Sequence, residues 1–205
     1  MEGGPLVSVI TPVRDAADTL AETVASVRAQ TRGDWEMLLI DDGSKDGSWD
    51  MIRELAGEDE RVRGIRFRRN FGKAAALSAG FEAASGELVF TLDADLQDNP
   101  EEIPALYRMI RNEGYDMVSG WKKNRHDPLT KTLPSRIFNS TARRITRIKL
   151  HDFNCGLKAY RNEVVKSIEI YGEMHRYIPM LARKAGFEKI GEKIVEHRPR
   201  KYGSS

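Results

Sequence analysis

Apolar residues recur along this chain in two rhythms. Leu6 to Thr11 is a β-branched run closed by Pro12, and Trp35 to Ile40 is a second run, mostly apolar, that stops at Asp41-Asp42-Gly43-Ser44. Short runs of this kind predict strands buried on both faces. Ile65 and Phe67 mark a third strand, Leu88 to Leu92 a fourth that ends at Asp93-Ala94-Asp95, and Met117 to Ser119 a short fifth. Between them the spacing changes to that of helices. Leu20, Val24 and Val27 share a helical face behind Asp18 and Thr19, which are suited to cap it. Met51, Ile52 and Leu55 make the next, and an Ala-rich stretch from Gly72 to Ala84 makes a third, with Gly86 as its stop. Asn99-Pro100-Glu101-Glu102 reads as a helix start, with Asn99 as cap, Pro100 at the first position and Glu102 closing a capping box.

Strands alternating with helices predict an α/β fold, a mostly parallel sheet covered on both faces. In such sheets ligands gather at the carboxyl ends of the strands. Asp15, the Asp41/Asp42 pair and the Asp93/Asp95 pair all fall at those ends, which lifts them above scattered surface acids.

Charge adds a division that the apolar pattern does not show. The 205 residues carry a formal net charge of only +2, yet residues 1–120 hold 13 Lys/Arg against 23 Asp/Glu, and residues 121–205 hold 20 against 8. An acidic first part and a basic second part suggest two chemically different partners. Cys155 is the single cysteine, so no intrachain disulfide forms, and with four scattered histidines it offers no zinc-ligand spacing. The residues from Met1 do not read as a basic-then-apolar leader, so no secretory signal is expected, and no apolar run approaches the roughly 18 residues that span a bilayer. The expectation is a chain at the cytoplasmic face of a membrane, held peripherally, with a membrane segment beyond residue 205 left open. Oligomeric state leaves no signature.

The chemistry concentrates in a few segments. Asp93-Ala94-Asp95-Leu96-Gln97 places two carboxylates and an amide oxygen just past a buried strand, hard donors suited to Mg²⁺ or Mn²⁺ with phosphate oxygens completing the shell. Asp41-Asp42-Gly43-Ser44 offers acids to a base or ribose, or makes an Asp-Gly turn. Lys73, at a helix start, can meet a phosphate. No Gly-x-Gly-x-x-Gly follows the first strand, and no P-loop occurs, which argues against a dinucleotide oxidoreductase or a P-loop enzyme. The basic second part lacks interleaved aromatic platforms, so nucleic acid is not the expected partner. A helix from about Ser135, with Ile137, Phe138, Ile145 and Ile148 apolar and Arg143, Arg144, Arg147 and Lys149 basic, suits an anionic membrane surface. His175 to Pro179 reads as an interfacial segment.

Taken in order, Ser8-Val9-Ile10-Thr11-Pro12, Asp41-Asp42-Gly43-Ser44, Asn70-Phe71-Gly72-Lys73 and Asp93-Ala94-Asp95-Leu96-Gln97-Asp98 resemble family-2 glycosyltransferases of the GT-A fold, in the polyprenyl-phosphate branch typified by dolichol-phosphate mannose synthase. The resemblance covers nearly the whole chain. It implies one GT-A catalytic domain over residues 1–205, with a nucleotide-sugar and metal half at 1–120 and an acceptor half at 121–205. It further implies that Pro12, Val13 and Asp15 line the nucleobase pocket and that Asp41 reads the base, although Asp15 stands where a glutamate is more usual. Asp93 would face the ribose or the metal, and Asp95 and Gln97 would hold the metal, with Asp95 essential to catalysis. Asp152, opening a segment like the family's acceptor site, is the candidate base. Arg136, Arg198, Arg200 and Ser204 would gather on phosphates, with Lys122, Arg125 and Ser135 as further acceptor contacts. The implied reaction is an inverting, metal-dependent transfer from a UDP- or GDP-linked sugar to a polyprenyl phosphate such as a dolichyl or undecaprenyl phosphate. A phosphate monoester is already anionic near neutral pH, its second pKa being about 6, so Asp152 need not act as a base there. Rival readings are a transferase to sugar hydroxyls with Asp152 as base, a nucleotidyltransferase, and, from another class, a non-catalytic nucleotide-sugar or membrane-binding module.

Overall fold

The computed structural model describes residues 6–123, 143, 144, 146 and 148–198. Seven strands form one sheet in the order β3-β2-β1-β4-β6-β5-β7. They are β1 (Val7–Val13), β2 (Trp35–Asp41), β3 (Val62–Arg66), β4 (Leu88–Thr91), β5 (Met117–Trp121), β6 (Lys158–Arg161) and β7 (Ile190–Ile194). β1 pairs in parallel with β2 and β4, β2 with β3, and β5 with β7, while β6 runs antiparallel to both β4 and β5. The sheet is therefore mostly parallel, as the alternation of elements predicts, with one reversed strand, β6, fifth in the order. The charge-divided halves share this sheet, since β6 and β7 join strands from the first 120 residues.

Helices cover both faces. α1 (Ala17–Arg28), α2 (Ser48–Glu58) and α4 (Ile103–Arg111) pack Leu20, Val24, Ile52, Leu55 and Leu106 into one core with Val9, Met37, Leu39 and Phe90. α3 (Lys73–Ala83), α5 (Asn162–Lys166) and α6 (Ile178–Lys184) bury Leu77, Phe81, Val164 and Ala182 against Ile10, Leu38, Ile40 and Val89 on the other. Alternate residues of β1 and β2 thus enter opposite cores, which is why both strands read as continuous apolar runs. Gly80 lets α3 lie close, because a Cβ there would stand 2.4 Å from Ile10 Cγ2. Burying apolar area on this scale, at about 25 cal/mol per Å², is the main force that closes the two layers.

Glu36 is the exception within β2. It is buried, and Ser8 Oγ, Ser85 N and Ser85 Oγ all donate to its Oε1 within 2.7 Å, while Arg63 lies 3.2 Å from Oε2. Burial pushes its pKa up, but these donors outweigh it and hold the carboxyl below its usual range.

Two local expectations are corrected. α1 is not capped by Asp18 or Thr19, which lie inside its first turn; the free N–H of Ala16 is met by Oγ of Ser48, the first residue of α2, and that of Ala17 by Oδ2 of Asp46 in the preceding loop, each at 3.0 Å. Asn99 does cap, with Oδ1 accepting from Glu101 N, but Glu102 closes no capping box. Its carboxylate takes the N–H of Glu196 and pairs with Lys193 on β7.

Candidate functional site

The strand order turns at β1. From there the chain builds outward through β2 and β3, then returns to place β4 on the other side. β4 leaves β1 at the Ile10–Thr91 pair, whereas β2 follows β1 as far as Val13. Pro12, which has no N–H to give a ladder, therefore sits where β1 has only one neighbour. A cleft of about 600 Å³ opens there, lined by Pro12, Val13, Asp15, Lys73, Asp93 and Asp95 among others. These are six of the eight residues singled out for nucleotide or metal; the other two, Asp41 and Gln97, are not in the lining.

The turns that shape this cleft are fixed by side chain to backbone bonds. Asp15 takes the left-handed region at φ 46°; its Oδ1 accepts from Lys45 N at 2.8 Å and its N–H donates to Ser44 Oγ at 3.0 Å. Asp42 lies on the cleft wall, and its two oxygens accept from Phe71 N and Gly72 N at 2.7 and 3.0 Å, fastening the turn before α3. Asp41 lies deeper, fully buried beneath the wall. Its Oδ1 accepts from Ser44 N at 2.9 Å, and its Oδ2, without a hydrogen-bond partner, stands 3.6 Å from Arg66 Nε. A second, strongly basic depression of about 650 Å³ continues from Arg14 and Asn70 and includes Lys45, Arg66, Arg68 and Arg69.

At the β4 end, Lys73 Nζ lies 2.5 Å from Asp93 Oδ1, with the two side chains 34% and 28% exposed. Burial alone would raise the Asp93 pKa, but Lys73, with Lys122 and Lys158 behind it, holds the carboxyl below its usual value. Gly156 presses on the same carboxylate: a Cβ there would stand 2.3 Å from Asp93 Oδ2. Asp95 is half-buried at the cleft, and its Oδ1 accepts from Gln97 N at 3.1 Å. Between them Leu96 adopts φ 61°, a region that costs a leucine about 1–2 kcal/mol. Such strain in a loop of acids is a functional signal.

Asp93 and Asp95 offer hard oxygens, the donors that Mg²⁺ and Mn²⁺ prefer. Among the described residues no group of three or more His, Cys, Asp and Glu side chains is placed to hold a metal by itself. The donor set therefore fits an ion shared with phosphate oxygens of a ligand, not an all-protein cage.

Behind the cleft the charges are paired internally. Lys122, expected to face an acceptor, turns inward: its Nζ lies 2.8 Å from Asp98 Oδ1, and the two side chains are 12% and 1% exposed. Burial, with Asp93 and Asp95 nearby, pushes the Asp98 pKa up, and Asp98 in turn raises that of Lys122. Lys158 on β6 is buried and donates to the Cys155 carbonyl; burial lowers its pKa and drives the Cys155 thiol up to about 12. Asp152 is buried too. Its Oδ1 accepts from Asn154 N at 3.0 Å, and its N–H donates to Glu192 Oε1 at 3.0 Å.

The basic end of the chain reaches this loop. Asp98 and His197 form a β-bridge, Arg198 N donates to Gln97 O at 2.9 Å, and the Arg198 guanidinium donates to Asn99 Oδ1 at 2.9 Å. Arg125, Ser135, Arg136, Arg200 and Ser204 lie outside the described residues, as does most of the helix expected from Ser135. In the segment expected to be interfacial, Ile178 and Pro179 are buried, and His175 sits half-buried in the 3-10 turn Met174–Tyr177 against α3. Sequence reasoning missed Lys158, Gly156, Asp98 as a partner of Lys122, and Asp42 as a clamp. Only the nearness of Asp98 to Asp95 hinted at any of them.

Residues 8–169 match the family model described as Glycosyl transferase family 2. The chain belongs to that family. Among curated relatives, this family-2 chain is 38% identical over 204 residues to the dodecaprenyl-phosphate galacturonate synthase of Rhizobium johnstonii, covering 97% of this chain and 60% of that protein. It is 39% identical over 204 residues to an undecaprenyl-phosphate 4-deoxy-4-formamido-L-arabinose transferase of Aeromonas hydrophila, covering 98% of this chain and 62% of that one. The family-2 chain thus spans about three fifths of the length of these relatives. Its fold matches glucosyl-3-phosphoglycerate synthase from Mycobacterium tuberculosis, solved with Mn²⁺, UDP and phosphoglyceric acid, at a TM-score of 0.73 and 21% identity over 96% of this chain and 72% of that one. A mannosyltransferase from Pyrobaculum calidifontis, solved with GDP-Man and Mn²⁺, matches at 0.67 and 21% over 94% and 56%. These two likenesses establish the shared fold. No helix among the described residues is long and apolar enough to cross a membrane.

Proposed function

We propose that this chain transfers a sugar from a nucleotide diphosphate sugar to the phosphate of a polyprenyl lipid, with inversion and with the help of a divalent ion. The observation that carries the reading is the cleft at the turning point of the sheet, where Pro12, Val13, Asp15, Lys73, Asp93 and Asp95 meet. The names of the relatives supply the acceptor class, a polyprenyl phosphate.

In this reading the nucleoside lies over Pro12 and Val13, with Asp41 buried behind the wall, where its Oδ2 pairs with Arg66 and its Oδ1 accepts from Ser44 N. Asp95 and Gln97, with Asp93 beside them, would hold a divalent ion. A bound Mg²⁺ or Mn²⁺ neutralises charge on the departing diphosphate. Lys73 adds a cation at the start of α3, where free N–H groups also favour anions. Arg198 reaches the rim from the far side of Gln97 and stands ready for the acceptor phosphate. That phosphate attacks the anomeric carbon opposite the leaving diphosphate, so the residues mainly position and stabilise charge. Asp152, buried and hydrogen-bonded to Asn154 N, orders the segment that carries Cys155 and Gly156 instead of taking a proton. A basic second part favours a peripheral place at an anionic membrane.

Calorimetric titration of UDP and GDP, each with and without Mn²⁺, tests the donor site. Metal-dependent binding of one nucleotide, at about micromolar Kd, is the expected result. Binding of neither, or equal binding without metal, removes this reading. Transfer to a polyprenyl phosphate, and not to a soluble glycan, then decides the acceptor class.

A further inference from the structure

We infer that the Lys73 ammonium is a resident counter-ion of Asp93 that changes partners when a nucleotide diphosphate enters, so that the divalent ion and the nucleotide bind as one unit. The inference rests on the donor-cleft reading above and adds the residue that sets the order of events.

Three lysines surround Asp93, and their situations differ. Lys122 is 12% exposed and paired with Asp98 at 2.8 Å. Lys158 is buried and donates to the Cys155 carbonyl. Neither can leave without stranding a buried charge. Lys73 is 34% exposed, lines the cleft, and swings on a four-carbon stem from the first residue of α3. Its Nζ, 2.5 Å from Asp93 Oδ1, stands where an incoming cation would have to approach. Asp93 cannot turn away to offer its other oxygen, because Gly156 packs against Oδ2 so closely that even a Cβ has no room.

A divalent ion arriving alone therefore meets one carboxylate already neutralised by an ammonium. It is left with the Asp95 carboxylate and the neutral Gln97 amide, and no group of three or more His, Cys, Asp and Glu side chains stands among the described residues to compensate. A nucleotide diphosphate changes this balance. It brings anionic oxygens to the start of α3, within the range of a lysine that need move only its terminal carbons. Once Lys73 turns to the phosphate, Asp93 regains its full charge beside the ion. Ion and nucleotide each make the other's site better, and by linkage the coupling is reciprocal.

The test is Mn²⁺ binding to the full chain, followed by the loss of the free-ion electron paramagnetic resonance signal, alone and with saturating UDP or GDP. Lys73→Met and Lys73→Gln both keep the stem and remove the charge, so either one serves if the other misfolds. In both, Mn²⁺ alone is expected to bind about tenfold tighter than in the unsubstituted chain, and the gain on adding nucleotide to shrink by a similar factor. Lys73→Arg should restore the original pattern. Lys184→Ala, an exposed charge at the end of α6, should change neither quantity. Folded Lys73→Met or Lys73→Gln that binds Mn²⁺ alone no more tightly overturns the inference while the donor site stands. So does a Lys184→Ala chain that tightens as much. If the unsubstituted chain takes up no Mn²⁺ with either nucleotide, the donor-cleft reading falls and the inference falls with it.

Discussion

On the β1 side of β4, Asp93 and Asp95 look into a cleft and keep part of their surface open; on the β6 side, Asp98 and Asp152 are buried and bound to groups of the protein itself. The four acids lie at strand ends or in the loops that follow, and chemically they are alike. What separates them is exposure: the outward pair keep part of their surface open to the cleft, and the inward pair do not. Asp98 has Lys122 at 2.8 Å in a site closed to water, whereas Asp93 meets Lys73 at 2.5 Å and Asp95 accepts from Gln97 N in positions only partly buried. The difference teaches how an acidic loop in this fold can divide its labour: the outward carboxylates stay within reach of a ligand in the proposed donor site, and the inward ones hold the loop that aims them.

The sharpest way to break that division is to remove one acid from each side. Asp95→Ala is expected to lower transfer by at least about a thousandfold, the scale of losing a central electrostatic group, with thermal stability close to unchanged. Asp98→Ala is expected to destabilise the fold by about 3–5 kcal/mol, because it strands the Lys122 ammonium in a buried site. Transfer assays beside thermal unfolding check both. If Asp95→Ala costs as much stability as Asp98→Ala, the two flanks do not differ as described.

Gly156 is where the flanks touch, and it gives a smaller, double effect. Gly156→Ala forces a Cβ to within 2.3 Å of Asp93 Oδ2, so the carboxylate or the segment must shift. We expect a loss of about 1–3 kcal/mol in stability together with weaker metal-dependent nucleotide binding. Gly57→Ala in α2, where a Cβ meets nothing within 4 Å, should be neutral or stabilising by up to about 1 kcal/mol. Nucleotide binding unchanged in Gly156→Ala would show that the inner flank does not aim Asp93.

The same contrast governs how much could be read from the amino-acid order. β1, β2 and β4 are legible because both faces are buried, so their apolar runs are nearly unbroken. β6 hides because Lys158 and Arg161 bound it, and β7 because Ile-Gly-Glu-Lys-Ile is short and only partly buried. The outward acids were legible from their position just past apolar runs. The inner pairings were not, since Asp98 meets a lysine 24 residues away and the N–H groups at the start of α1 are met by Ser48 and Asp46, about 30 residues on around the start of α2. Lys122 shows the limit most clearly: a basic residue in a basic stretch reads as a ligand contact, and only the fold reveals the buried acid beneath it.

The smallest effect concerns His175, which faces the open flank from the turn against α3. Burial, then the Lys73 charge, lowers its pKa from 6.5 to about 4, against a smaller opposing pull from Glu173. The unfolded chain therefore binds a proton on this histidine at a higher pH than the folded one does. Its neutral state is favourable to folding above pH 6.5, and that contribution is lost progressively as pH falls from 6.5 towards 4. Because the ring is only half-buried, the loss is discounted to on the order of 1 kcal/mol. Urea unfolding at several pH values across this window, for the unsubstituted chain and His175→Asn, isolates it: the substituted chain should lose less stability on acidification. Parallel curves would mean that His175 titrates normally. Lys73→Met in the same measurement then divides the cause. Burial, the larger part, stays, and the lysine's share goes, so the slope should ease slightly; an unchanged slope would place Lys73 too far from His175 to act on it.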